Sequence, residues 1–121
     1  MSRILVIDDE KDMLEEIKAY FEFKGHEVLI ASEAKEGLEL AFKSKPDLLI
    51  LDIKMPGKDG MEILKETKAS NSQLRVIMLT GHYQNELAES RALSLGASLY
   101  LKKPIGLAEL ENAITEVLSK K

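Results

Sequence analysis

Five short apolar runs, each separated from the next by a segment of helical spacing, constrain this chain more than any other feature. The runs occupy residues 4–7, 28–30, 47–51, 75–79 and 98–101. Between them apolar residues recur three and four apart, as at Leu14, Ile17 and Phe21, or at Leu38, Ala41 and Phe42. The last segment shows the pattern best, with Leu107, Leu110, Ile114 and Val117 on one face. Repeated strand–helix alternation predicts a parallel sheet covered by helices on both faces. Continuous apolar strands, rather than alternating ones, fit burial on both sides. The runs at 4–7, 48–51 and 76–79 are the most uniformly apolar and belong at the centre; those at 28–30 and 98–101 belong at the edges. Right-handed crossovers then favour strand order 2-1-3-4-5. Gly25 and Gly96 fall where the first and fourth helices should stop, and Asp9 with Asp12 predicts an N-cap followed by an acidic first turn.

Size and charge narrow the function. The 121 residues are predicted to form one domain, 1–121, long enough for a real core. A net charge of −4 argues against non-specific binding of nucleic acid. No apolar stretch is long enough to span a bilayer, and the N-terminus lacks a signal-peptide layout. With no cysteine, disulfides and thiolate metal sites are excluded, which fits a cytoplasmic location.

Open sheets of this kind bind ligands beyond the carboxyl ends of their strands. In this chain the first strand ends in Asp8-Asp9, the third in Asp52, the fourth in Thr80-Gly81 and the fifth in Lys102-Lys103-Pro104. Singly, each has an ordinary explanation: Asp8-Asp9 as a helix cap with a turn residue, Asp52 as an Asx turn into Met55-Pro56-Gly57, Thr80 as a strand hydroxyl, Lys-Pro as a solvated turn. Together they bring three acids, a hydroxyl and a lysine to one edge. Two like charges about 4 Å apart repel by roughly 4 kcal/mol at an effective dielectric near 20. Protonation or a divalent cation would relieve this, and an all-oxygen donor set suits Mg²⁺ or Mn²⁺. An acidic cluster with a hydroxyl and a lysine points to metal-assisted phosphoryl transfer.

Asp8-Asp9, Asp52 followed by Met55-Pro56-Gly57 and Asp59-Gly60, Thr80-Gly81 and Lys103-Pro104 together resemble a response-regulator receiver domain of two-component signalling. The resemblance spans essentially the whole chain, with the motifs in order. It implies a flavodoxin-like, doubly wound α/β fold with five helices. It implies that Asp52 is the phosphoacceptor, taking a phosphoryl group from a sensor histidine kinase or histidine phosphotransfer protein, so that the chain would catalyse its own phosphorylation and dephosphorylation. Asp8, Asp9, Asp52 and the backbone carbonyl of Lys54 would hold Mg²⁺, with Asp8 acting largely through water. Thr80 and Lys103 would stabilise phosphoryl oxygens, and the Lys103-Pro104 bond would be cis. Gly81 would leave room beside Thr80. Thr80 and Tyr100 would form the switch, the tyrosine ring turning inward to change the face made by the fourth helix, fifth strand and fifth helix; taken alone, Tyr100 reads as a partly buried edge-strand residue with its hydroxyl in water. Lys54 and His82 would tune phosphoryl lifetime, expected to be minutes or longer. The first helix and the loop after the fifth strand would face the kinase, and output would go to a protein partner or to an effector domain outside this chain.

Other classes share parts of this pattern. A phosphorelay intermediate carries the same acceptor set as a switch but passes its phosphoryl group onward. A receiver-like binding module takes no phosphate at all. Haloacid-dehalogenase-like phosphatases carry a second Asp two residues after the nucleophile, where this chain has Lys54. A flavin-binding flavodoxin would need a Ser/Thr/Gly-rich first loop in place of Asp8-Asp9-Glu10-Lys11.

Overall fold

The computed structural model describes residues 2–53, 55, 58–81 and 86–120. Strands β1 (Arg3–Ile7), β2 (Glu27–Ala31), β3 (Leu48–Leu51), β4 (Arg75–Thr80) and β5 (Leu99–Lys102) alternate with helices α1 (Lys11–Phe23), α2 (Ala34–Ser44), α3 (Gly60–Ser70), α4 (Glu86–Ser94) and α5 (Leu107–Ser119). All strand pairs are parallel, and their order is β2-β1-β3-β4-β5. The expected architecture is therefore the observed one.

Strand alternation divides the interior into two cores. Leu5, Ile7, Leu49, Leu51, Val76 and Met78 project to one side, where Ala34, Ala41, Ile63, Leu64 and Ala92 of α2, α3 and α4 cover them. Ile4, Val6, Leu48, Ile50, Ile77 and Leu79 project to the other, against Leu14, Ile17, Phe21, Leu110, Ile114 and Val117 of α1 and α5. Both sets are essentially inaccessible to water. Each buried Leu, Ile, Val, Phe or Met side chain among them contributes roughly 1.5–3 kcal/mol by leaving solvent, which is why the apolar runs dictate the fold.

Local signals set the ends of the elements. Gly25 (φ 96°) and Gly96 (φ 109°) take the left-handed conformation just past α1 and α4. The Asp59 carboxylate caps α3 by accepting from the Met61 N–H at 2.8 Å. Three expectations need correcting. Ser98 lies outside β5, which instead runs on to Lys102. The N-cap of α1 is Glu10, not Asp9, and its side chain makes no capping bond. Asp47 lies outside β3; its carboxylate accepts from the Arg3 N–H at 2.7 Å, pinning the entry to β1.

Gly60 starts α3 in contact with the end of β3. Its N–H donates to the Ile53 carbonyl at 2.6 Å. A Cβ there would overlap the Asp52 carbonyl oxygen and stand 2.7 Å from Ile53 Cα. Only glycine permits this approach, and it fixes the backbone beyond β3.

Candidate functional site

Backbone bonds that extend the strand ladders carry the polar residues to one edge. The Asp8 N–H donates to the Ala31 carbonyl at 3.1 Å, and the Asp52 N–H to the Ile7 carbonyl at 3.1 Å. The Lys103 N–H donates to the Thr80 carbonyl at 3.0 Å. Each residue thus stands within a step of a fixed strand end. Asp8 is held further by its own Oδ1, which accepts from the Glu10 N–H at 3.0 Å in an Asx turn.

The side chains converge from these anchors. Carboxylate oxygens of Asp8, Asp9 and Asp52 lie within 4.8 Å of one another. Asp8 and Asp52 are buried and Asp9 is exposed. Lys103 Nζ reaches Asp8 Oδ2 at 2.8 Å, Glu10 Oε1 at 2.6 Å and Asp52 Oδ2 at 3.6 Å. The Lys103-Pro104 peptide is cis, and Lys102 is exposed beside it. Thr80 ends β4 fully buried. A Cβ at Gly81 would make ordinary van der Waals contact with the lysine stem, 3.5 Å from Lys103 Cβ.

Four carboxylates against one ammonium leave a formal charge of −3 when all are ionised. Asp8 relieves part of it. Burial raises its pKa from 3.8 to about 6, assisted by the charge of Asp52 and opposed by hydrogen bonds from Lys103 and the Glu10 N–H. Burial alone would lower the Lys103 pKa, but its bonds to Asp8 and Glu10 and the charges around it hold the ammonium well above the ordinary lysine range. Lys103 is thus a permanent cation at any physiological pH.

Asp52 is the anomaly. It has no exposed surface, and among the described residues neither of its carboxylate oxygens has a hydrogen-bond partner. A buried carboxylate without hydrogen bonds is costly. Its lone pairs face a cluster of oxygen donors with no nitrogen or sulfur ligand, which fits a hard divalent cation held by Asp8, Asp9 and Asp52.

Tyr100 of β5 is buried at 9% exposure and belongs to the core on the α4 side, not to the solvent-facing edge. Burial, then the charges of Glu89 and Asp52, raise the pKa of its hydroxyl. Lys54, Pro56, Gly57 and His82 lie outside the described residues. Glu10 is the residue that sequence reasoning missed. It comes directly after the acidic pair, but its tie to Lys103 spans 93 positions and leaves no local signal.

A cavity of about 460 Å³ opens beside the site between α1 and α5. Glu10 and Lys103 form its polar corner; Met13, Ile17, Ile105 and Leu107 supply apolar wall.

Comparison with known proteins gives a consistent result. The model for the response regulator receiver domain matches residues 4–115. The chain is 31% identical over 116 residues to the sporulation initiation phosphotransferase F of Bacillus subtilis, covering 96% of this chain and 93% of that protein. It is 34% identical over 117 residues to the response regulator MprA of Mycobacterium leprae, covering 96% of this chain but only 50% of MprA, so it spans about half that relative's length. The crystal structure of a CheY-like response regulator receiver domain protein from Methanospirillum hungatei superposes with a TM-score of 0.94 at 34% identity, covering 98% of this chain and 94% of that one.

Proposed function

This chain belongs to the response regulator receiver domain family, and from that premise we propose that Asp52 is the residue that accepts its phosphoryl group. Receiver domains work with histidine kinases or phosphotransfer proteins. The observation that supports Asp52 is its fully buried carboxylate, 3.6 Å from a lysine, with both oxygens lacking hydrogen-bond partners among the described residues.

The chemistry rests on what surrounds it. One Asp52 oxygen attacks the phosphorus of a phosphohistidine. The P–O bond forms as the P–N bond breaks, and the imidazole nitrogen keeps the electron pair and gains a proton. A carboxylate oxygen attacks with its own lone pair, so the step calls for no separate base. Lys103 donates to a phosphoryl oxygen and offsets the charge that gathers there; the Thr80 hydroxyl, on the neighbouring strand end, serves a second oxygen. Asp8, Asp9, Asp52 and the Lys54 carbonyl would hold Mg²⁺ or Mn²⁺, which supplies charge neutralisation between acceptor and donor. Hydrolysis of the acyl phosphate by water returns the chain to its starting state. Lys54 and His82 set that rate, with a lifetime of minutes or longer.

The donor protein docks over α1 and the loop after β5, where the cavity exposes apolar wall next to Lys103. Thr80 and Tyr100 report the phosphoryl group to the α4–β5–α5 face. Within α4, Leu87 is 82% exposed and Leu93 44% exposed, so the helix carries apolar side chains that a protein partner could cover. Residues 1–121 act as one domain, in the cytoplasm and without direct contact to nucleic acid or membrane. The complete acceptor set argues against a phosphate-independent module.

The test is incubation with Mg²⁺ and acetyl phosphate, read by intact mass. Wild type gains one phosphoryl group and Asp52→Asn gains none. Equal labelling of the mutant would overturn the assignment.

A further inference from the structure

Glu10 takes no part in the chemistry above, yet it makes the shortest ion pair of the site. Its Oε1 lies 2.6 Å from Lys103 Nζ, nearer than Asp8 at 2.8 Å and much nearer than Asp52 at 3.6 Å. An acid at the N-cap of a helix ordinarily turns back to its own backbone. Glu10 does not; its side chain crosses instead to the loop after β5.

Burial is graded across this row of charges. The Glu10 side chain is 53% exposed, that of Lys103 12%, and Asp52 is not exposed at all. An ammonium has three donors. Asp8 and Glu10 lie at hydrogen-bonding distance and Asp52 beyond it, so the lysine is drawn outward, away from the acceptor. Glu10 also lines the cavity beside the site, so an entering phosphoryl anion meets its negative charge.

We propose that Glu10 is a positioning residue that restrains Lys103 toward the mouth of the site and opposes loading of the phosphoryl group onto Asp52. This rests on the reading of Asp52 as the acceptor. Without the Glu10 charge, Asp8 still holds the lysine arm in the pocket, while the donor that faced Glu10 turns to the phosphoryl oxygens. Glu10 therefore sets the ease of loading without touching the reacting atoms.

The test uses beryllofluoride, a phosphoryl analogue that binds to a carboxylate, titrated into the Mg²⁺-loaded protein and followed by NMR. Glu10→Gln removes the charge at nearly constant size. Glu15→Gln makes the same change in net charge on an exposed position of the same helix. Glu10→Gln and Glu10→Ala should bind the analogue about two- to fivefold more tightly than wild type, the size of a partly exposed ion pair. Glu15→Gln should leave affinity as in wild type. In acetyl phosphate labelling the gain should appear in KM more than in kcat. If the Glu10 variants bind no more tightly, or if Glu15→Gln matches them, the restraint is refuted while Asp52 stands as acceptor. If folded, Mg²⁺-loaded wild type binds no analogue, the acceptor assignment itself falls and takes the role of Glu10 with it.

Discussion

Gly60 and Asp52 stand so close that no side chain fits between them. The first residue of α3 packs on the carbonyl oxygen of Asp52, and its N–H holds the next carbonyl, that of Ile53. The backbone that carries the Asp52 carboxylate is thereby held from behind by a helix start as well as from the side by the sheet.

Gly60→Ala should therefore be severe. The added methyl meets backbone, which cannot move aside, and the cost should be about 3 kcal/mol or more in urea unfolding, together with a loss of acetyl phosphate labelling. Gly37→Ala is the comparison. Its Cβ meets side-chain rather than backbone atoms, Ile7 Cδ1 at 2.5 Å and Cγ1 at 2.8 Å, so the buried Ile7 must shift. Alanine favours the helix by about 1 kcal/mol, however, and the contact lies away from Asp52; a smaller loss and intact labelling are expected. Equal destabilisation of the two variants would show that Gly60 holds no special place.

Asp8 gives the metal-free protein a defined dependence on pH. Its folded pKa of about 6 lies above the unfolded 3.8, so between these values the folded state binds more protons than the unfolded one. Stability should then fall as pH rises through this window and level off above it. The full contribution is up to about 3 kcal/mol, taken at 1.4 kcal/mol per pH unit. Unfolding in EDTA at several pH values, compared between wild type and Asp8→Asn, measures it: the mutant should lack this component and be the more stable protein at neutral pH. A difference between the two that does not change with pH would contradict the account.

Divalent cation should bind in competition with the same proton. Apparent Mg²⁺ affinity is expected to rise as pH increases through about 6 and then to plateau, as Asp8 loses its proton. Titration calorimetry in two buffers of different ionisation enthalpy would detect the released proton. Affinity that stays constant from about pH 5 to about pH 7.5 would count against Asp8 as part of the cation site.

Lys103→Met should separate two roles of one ammonium. Labelling by acetyl phosphate should slow by about 10²- to 10³-fold, the usual cost of removing a donor aimed at developing charge. The metal-free variant should also lose stability, because Asp8 keeps only its bond from the Glu10 N–H and Asp52 stays buried with no cation nearby. Saturating Mg²⁺ should restore much of the stability and little of the rate. Recovery of both would mean that the lysine only balances charge.

How much of this is legible in the chain depends on whether the signal is local. Strand identity and order come from apolar runs such as Leu48 to Leu51, because residues buried on both faces must all be apolar. Lys103 is separable from Lys102 because it alone precedes Pro104. Asp9 is easily mistaken for a helix cap, since an acid in a turn looks the same one residue either side of a helix start. Asp47 looks like part of a strand, although its carboxylate serves the chain beside it. The role of Glu10 is invisible, because its partner is set by how the loops after β1 and β5 meet in space. The need for glycine at residue 60 is equally hidden, since it arises from a through-space approach to Asp52.

The division of the interior into two cores has a consequence for signalling. One layer of backbone separates a compartment lined by α1 and α5, beside the cavity, from one that contains Tyr100 and the inner side of α4. A rearrangement around Tyr100 can therefore repack the second compartment while the first keeps its shape. Neighbouring positions of one strand therefore answer to different cores: a substitution at Ile50 repacks the side covered by α1 and α5, and one at Leu49, its immediate neighbour, repacks the side that holds Tyr100.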